Sequence, residues 1–270
     1  LKVLKQSIAG LGIKEITPEI AKYLVALAVK EGGKLAAGTG VEIATEGAQK
    51  GVSEAVRARL PEYPHQEGRN LFQGEFGVAS GKQPQQELED LGWCGVVAKN
   101  EDKRQVAFLE RDRFLFSKLA PYSHWDAFQG EALRLWDIHG ELARPMTLQR
   151  IAVRFINHFP LPQGELRLEP YLRVPPKPAD THLGLASILH RNAMAVPGHD
   201  YEVTVTCATQ PAKILGDYVF WALIIDVAVL TTTPHPLEDA DLNRRLPEMR
   251  WLKNKAFFGT IADELKEMLQ

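Results

Sequence analysis

GWCGVVAKNEDKRQVAFLERDRFLFSKL, running from Gly92 to Leu119, reads as three extended stretches joined by tight connections. Val106 and Phe108 share one face, as do Phe114 and Phe116, and the charged residues 110–113 lie between the two pairs. That period of two is the mark of a half-buried strand. Asn100–Asp102 supplies turn residues, and Pro121 ends the third stretch. Short, hairpin-like connections point to antiparallel pairing, not to a doubly wound parallel sheet.

Upstream, NLFQGEFGVA places Phe72, Phe76 and Val78 on one face of a further strand, and SGKQPQQELED reads as a polar loop. KYLVALAVK, ending at Lys30, also suits a strand. The glycine-rich segment that follows leaves two readings open: a helix only from about Val41, or one long Gly/Ala-rich helix packed closely on a neighbour. Val52, Val56 and Leu60 recur at helical spacing before Pro61 and Pro64 stop the pattern.

Downstream, Ser123 and Asp126 form a capping box ahead of a helix whose apolar face carries Trp125, Phe128, Ala132, Leu135, Ile138 and Leu142. LQRIAVRFINHF alternates sharply. Ile151, Val153, Phe155 and Phe159 face one way; Arg150, Ala152, Arg154, Ile156 and His158 face the other. After a proline-rich linker come strands at Tyr201–Cys207 and Val219–Val229, and then helices near Pro247–Phe258 and Ile261–Leu269, the last capped by Thr260 with Asp263. The expected fold is therefore α+β, a mostly antiparallel sheet with helices packed on it, in an order that also suits two similar halves. Residues 1–20 read as an N-terminal extension, and residues 21–270 as a single domain.

The 270 residues carry 32 basic and 34 acidic side chains, a net charge of −2 that gives no global field for nucleic acid or acidic membranes. Cys94 and Cys207 stand far apart, which suits a reducing compartment, and no apolar run reaches the length of a membrane span. A cytoplasmic protein is expected. Gly33 and Gly38 have phosphate-loop spacing, but Thr39 stands where the lysine is required. The eight histidines show no metal-ligand spacing, and no nucleophile elbow occurs. Neither a metal nor a cofactor is expected. The mixed charges around Arg244, Arg245 and Arg250 read as a solvated helix face, and no nucleic-acid partner is expected.

Asp226 is the most informative single residue. It interrupts FWALIIDVAVL, where both faces are apolar, so burial is expected, and a buried carboxylate needs a partner. Arg150 and Arg154 are the natural partners. Two readings stay open: a structural ion pair, or a polar pocket lined by Arg150, Arg154, Asn157, His158 and Asp226 that holds an anionic ligand.

The runs DRFLFSKLAPYSHWDAFQGEALRLW, RIAVRFIN, LIIDVAV and LKNKAFFGTIADEL together resemble a sporadically distributed prokaryotic family of conserved hypothetical proteins of about this length. The resemblance covers roughly Pro61 onward. It matches Tyr122, Trp125, Arg150, Arg154, Asn157, Asp226 and Phe257 to recurring positions, and it carries no activity. Two functions follow as expectations. One is a non-enzymatic protein-interaction module, of a mobile or defence-type two-gene system, with a protein partner or as a homodimer. The other is a small-molecule enzyme built around the Arg154/Asp226 pocket.

Overall fold

The computed structural model describes residues 46–77, 85–162, 166–177, 184–215, 218–237 and 241–269. The expectations for residues 1–45, including the extension, the strand in KYLVALAVK and the phosphate-loop-like glycines, lie outside them, as does the facing of Phe72, Phe76 and Val78. The fold is α+β with antiparallel sheets. The chain forms two compact units that divide between Pro145 and Met146.

The first unit contains helix α1 (Glu46–Arg59), strands β1 (His65–Gly77), β2 (Gln85–Lys99), β3 (Gln105–Glu110) and β4 (Arg113–Lys118), and helix α2 (Trp125–Ala143). The strands form a meander in the order β1-β2-β3-β4. The turn between β2 and β3 is made by local bonds: Asn100 Oδ1 accepts from Gln105 N at 2.9 Å, and Asp102 Oδ1 accepts from Arg104 N at 2.9 Å. Val96 and Ala98 of β2, opposite Leu109 and Ala107 of β3, join Val56, Leu60, Tyr63 and Leu135 in one apolar core. Phe114 and Phe116 of β4 close it, as their shared face requires.

Two local expectations are corrected here. Residues 85–90 of the supposed polar loop are strand, because their backbone pairs with β1 as far as Gly77↔Gln85. Main-chain pairing holds them extended without the apolar alternation that would reveal a strand in sequence. The cap of α2 is also not the Ser123/Asp126 box: His124 is the N-cap, and its Nδ1 accepts from Ala127 N at 3.2 Å.

The second unit contains β5 (Thr147–Leu148), β6 (Ala152–Pro160), β7 (Leu189–Ala195), β8 (Tyr201–Leu215), β9 (Tyr218–Thr231) and β10 (His235–Pro236), followed by α3 (Leu242–Thr260) and the short α4 (Asp263–Glu267). Its main sheet has the order β6-β9-β8-β7, so the first strand returns beside the last, and β5 pairs with β10 separately. Each unit has a four-stranded antiparallel sheet and a 19-residue helix, but their connectivities differ. The inner face of β6 and β9 carries Val153, Phe159, Leu223, Ile225, Val227 and Val229, all buried. Helix α3 packs on this sheet through Met249 and Phe257, with Phe257 stacked on Phe159 at 6.3 Å between centroids.

Helix α3 begins five residues before Pro247, where the sequence suggests a start at about the proline itself. Asp241 caps it, accepting from Arg244 N, and Pro247 is carried inside. The expected Thr260/Asp263 box is absent too: Ala262 is the N-cap of α4 and makes no side-chain cap bond, while the Thr260 hydroxyl donates to Ala256 O. Strand β7 has no counterpart in the sequence reading, since nearly all of its residues are exposed on both faces and no alternation marks it. Among the described residues, no helix is long and apolar enough to cross a membrane.

Candidate functional site

The alternation of β6 divides the expected site residues between the two faces of the sheet. Arg154 and His158 lie on the outer face, while Asn157 lies on the inner side and donates from Nδ2 to Ile225 O at 3.1 Å. Arg150 precedes the strand. Asp226 sits opposite Ile156 on β9, and Arg154 opposite Ala228, so the two charges are diagonal neighbours across an antiparallel pair. Arg154 grips Asp226 with both arms, Nε–Oδ1 at 2.9 Å and Nη2–Oδ2 at 2.6 Å.

The expected burial of Asp226 holds only in part. Its side chain is 16% exposed and that of Arg154 51%, because residue 226 falls on the outer side of the sheet, which α3 does not cover. The apolar run in FWALIIDVAVL arises because small and aliphatic residues, Ala222, Ile224, Ala228 and Leu230, share that outer face with Asp226. The carboxylate holds the Arg154 guanidinium above its ordinary pKa through their paired hydrogen bonds. Chemically this is a clasp between two strands. A double-mutant cycle on Arg154→Met and Asp226→Asn, read by urea denaturation, should give a coupling of about 1 kcal/mol that weakens in high salt. A coupling above about 3 kcal/mol would mean the pair is enclosed.

A second polar cluster, which the sequence pattern does not single out, fastens the start of α3 to the sheet. Arg245 is buried and donates from Nη1 to both oxygens of Asp200 at 3.1 Å and to the Tyr201 hydroxyl at 3.3 Å. Its Nη2 lies 3.3 Å from His235 Nδ1, and His235 Nε2 lies 2.7 Å from Asp200 Oδ2. Tyr201 donates to Glu248 Oε2 at 2.7 Å, and Arg244 bonds both Asp241 and Glu248. Burial raises the Tyr201 phenol to about 12, with the Glu248 carboxylate adding to the shift. The available signal was helical period: Arg245, Met249, Leu252 and Phe257 fall on one face, so Arg245 belongs with the buried residues and not with the solvated charges around it.

The opposite face of α3 is unusual. Trp251 is 59% exposed and Phe258 49% exposed. With Lys255 they recur at i, i+4 and i+7, and exposed Pro247 lies on the same arc. Lys255 Nζ stands 4.8 Å from the centre of the Trp251 ring. The helix carries five basic residues against one acidic, Glu248, in a chain whose overall charge is −2. On the sheet side, Lys253 lies 3.8 Å over the Phe155 ring, and burial, with Arg250 contributing, lowers its pKa to about 8. The result is an apolar ridge with basic flanks at Arg250 and Lys255.

In the first unit a cavity of about 50 Å³ is lined by Gln105, Lys118, His124 and Glu131 among others. Tyr63, fully buried beside it, approaches Glu131 Oε1 at 2.6 Å and Gln105 Oε1 at 2.8 Å. That volume has room for a few water molecules. Among the described residues, no group of three or more His, Cys, Asp or Glu side chains is placed to hold a metal ion. No protein-family model, no curated protein and no solved structure matches the chain.

Proposed function

We infer that the chain is a protein-interaction module that docks through the outward ridge of α3 onto an acidic protein surface with an apolar groove. The exposure of Trp251 and Phe258 on one arc of a helix whose other side is anchored to a sheet carries this reading. A large aromatic side chain in water is unfavourable by up to a few kcal/mol relative to burial, and aromatic residues and arginine dominate binding hot spots. Arg250 and Lys255 beside the ridge favour an acidic partner, chiefly through the rate of encounter. The reading also places the chain in the cytoplasm of a prokaryote, with its partner encoded beside it as a two-gene unit in the sporadic family it resembles.

The test is co-purification of the chain with the product of the neighbouring gene from the source organism. A stoichiometric complex that dissociates at high salt, and that a Trp251→Ala/Phe258→Ala double variant with unchanged melting temperature fails to form, is expected. Retention of the complex by the double variant would contradict the reading. So would a chain that sediments with phosphatidylserine vesicles through this ridge and binds no protein, since basic aromatic helices can also rest on anionic lipid.

A further inference from the structure

We propose that two copies of the chain associate by antiparallel pairing of β7 with β7 of the second copy, about a two-fold axis at Asn192. Their four-stranded sheets then join into one. Two backbone hydrogen bonds settle which main-chain groups of β7 are available. Val196 N donates to Tyr201 O at 3.0 Å, and Thr209 N donates to Ile188 O at 3.1 Å. In an antiparallel ladder, hydrogen-bonded residues alternate, so His190, Asn192 and Met194 also turn their main chain toward β8. The N–H and C=O groups of Leu189, Arg191, Ala193 and Ala195 therefore point away from the sheet.

Arg191 is the one Lys or Arg guard on this edge. The β7–β8 register runs without a bulge, and Leu189–Ala195 contains neither proline nor lysine. Leu189 is 46% exposed and Met194 43% exposed at its two ends. Side-chain size then selects the register. Centred on Asn192, Leu189 faces Ala195 of the copy and Arg191 faces Ala193, so each long side chain on the outer side meets a small one. On the other side His190 faces Met194, and the Asn192 amides meet at the axis. All four outward-facing residues of each copy are used. Centring on Arg191 sets two guanidinium groups side by side, which is unfavourable. Centring on Ala193 brings Leu189 opposite Pro197, which has no N–H to give.

The opposite edge discriminates further. Thr231 N to Ile151 O and Leu161 N to Trp221 O, both 2.9 Å, leave Ala152, Arg154, Ile156, His158 and Pro160 outward on β6. Self-pairing there centred on Ile156 sets Arg154 against His158 and Ala152 against Pro160. Of the two edges of this sheet, β7 is thus the one suited to a second copy.

Sedimentation velocity over a concentration series on the full chain tests this. A reversible dimer is expected. Ala193→Pro removes an outward N–H while leaving the β8 ladder intact, and it should raise the dissociation constant at least about tenfold without altering the far-ultraviolet spectrum. Asn192→Cys should cross-link as a disulfide dimer on mild oxidation, because the axis sets the two residues in a close, non-hydrogen-bonded pair, whereas Met194→Cys should not. Cys94 and Cys207 are buried and leave the engineered thiol as the accessible one. A chain that stays monomeric at every concentration overturns the proposal. A dimer indifferent to Ala193→Pro, or equal cross-linking at 192 and 194, does so as well.

Discussion

Gly95→Ala is expected to destabilise the first unit by about 3 kcal/mol, at the upper end for inserting a methyl group into a packed interior. An alanine Cβ at position 95 would stand 2.3 Å from Leu109 O and 2.5 Å from Glu110 Cα. Both are main-chain atoms, so no side-chain rotation relieves the clash. Gly95 pairs with Arg69 of β1 and with Glu110 of β3, so displacing β2 there disturbs the centre of the sheet. It also disturbs the Arg69–Glu110 contact at 3.2 Å, where Glu110 is buried. Hydrogen exchange in β2 and β3 should accelerate together with a fall in the urea midpoint. A loss below about 1 kcal/mol would show that the close approach is not fixed by packing.

Arg245→Met should cost about 2 kcal/mol at pH 7, because the thioether fills the space of the stem but leaves Asp200 without its cation. The cost stays moderate because part of Asp200 reaches solvent, with 26% of its side chain exposed. The effect carries a pH signature. Burial alone would raise the Asp200 carboxyl, but hydrogen bonds and charge from Arg245, aided by a backbone bond and His235, outweigh it and hold the pKa below the usual carboxylate value. A carboxyl with a depressed folded pKa adds stability that is complete above its unfolded value of about 3.9 and is lost as pH falls through the folded one. Wild type should therefore lose more stability than Arg245→Met on acidification below about pH 4, and the gap between them should close. Urea titrations at pH 7 and at pH 3 read this directly. A constant gap would show that Asp200 is not held by the guanidinium.

The parts of the fold legible in sequence are those where one face of an element meets apolar packing. Strands β4 and β6 and the apolar face of α2 follow from alternation or helical period, since Phe114, Phe116 and Leu135 serve the core, whereas β3 does not alternate and turns Ala107 and Leu109 into that core in place of the expected Val106 and Phe108. Residues 85–90 and β7 escaped because main-chain pairing alone defines them, and polar or exposed side chains leave no periodic trace. The capping boxes at Ser123 and Thr260 failed for another reason. The pattern of residue types fitted, but His124 supplied the local bond at one helix and no side chain supplied it at the other.

The site was legible only as a pair. Arg154 and Asp226 come together from strands 72 residues apart in sequence, on the outer face of the sheet, where Asp226 stays mostly covered and Arg154 half exposed, since the count of apolar residues around Asp226 does not say which face α3 covers. The Asp200–His235–Arg245 cluster joins a loop, a two-residue strand and a helix, and no local spacing links residues so far apart. Trp251 is misleading in sequence. Tryptophan usually marks core, and only the helical phase set by Arg245, Met249 and Phe257 turns it outward.

The most direct measurement is hydroxyl-radical footprinting of the complex formed with the neighbouring gene's product. Trp251 and Phe258 should be oxidised readily in the free chain and strongly protected in the complex, while exposed aromatic residues elsewhere, such as Tyr122, keep their reactivity. Unchanged oxidation at Trp251 and Phe258, with protection appearing on another surface, would contradict docking through α3.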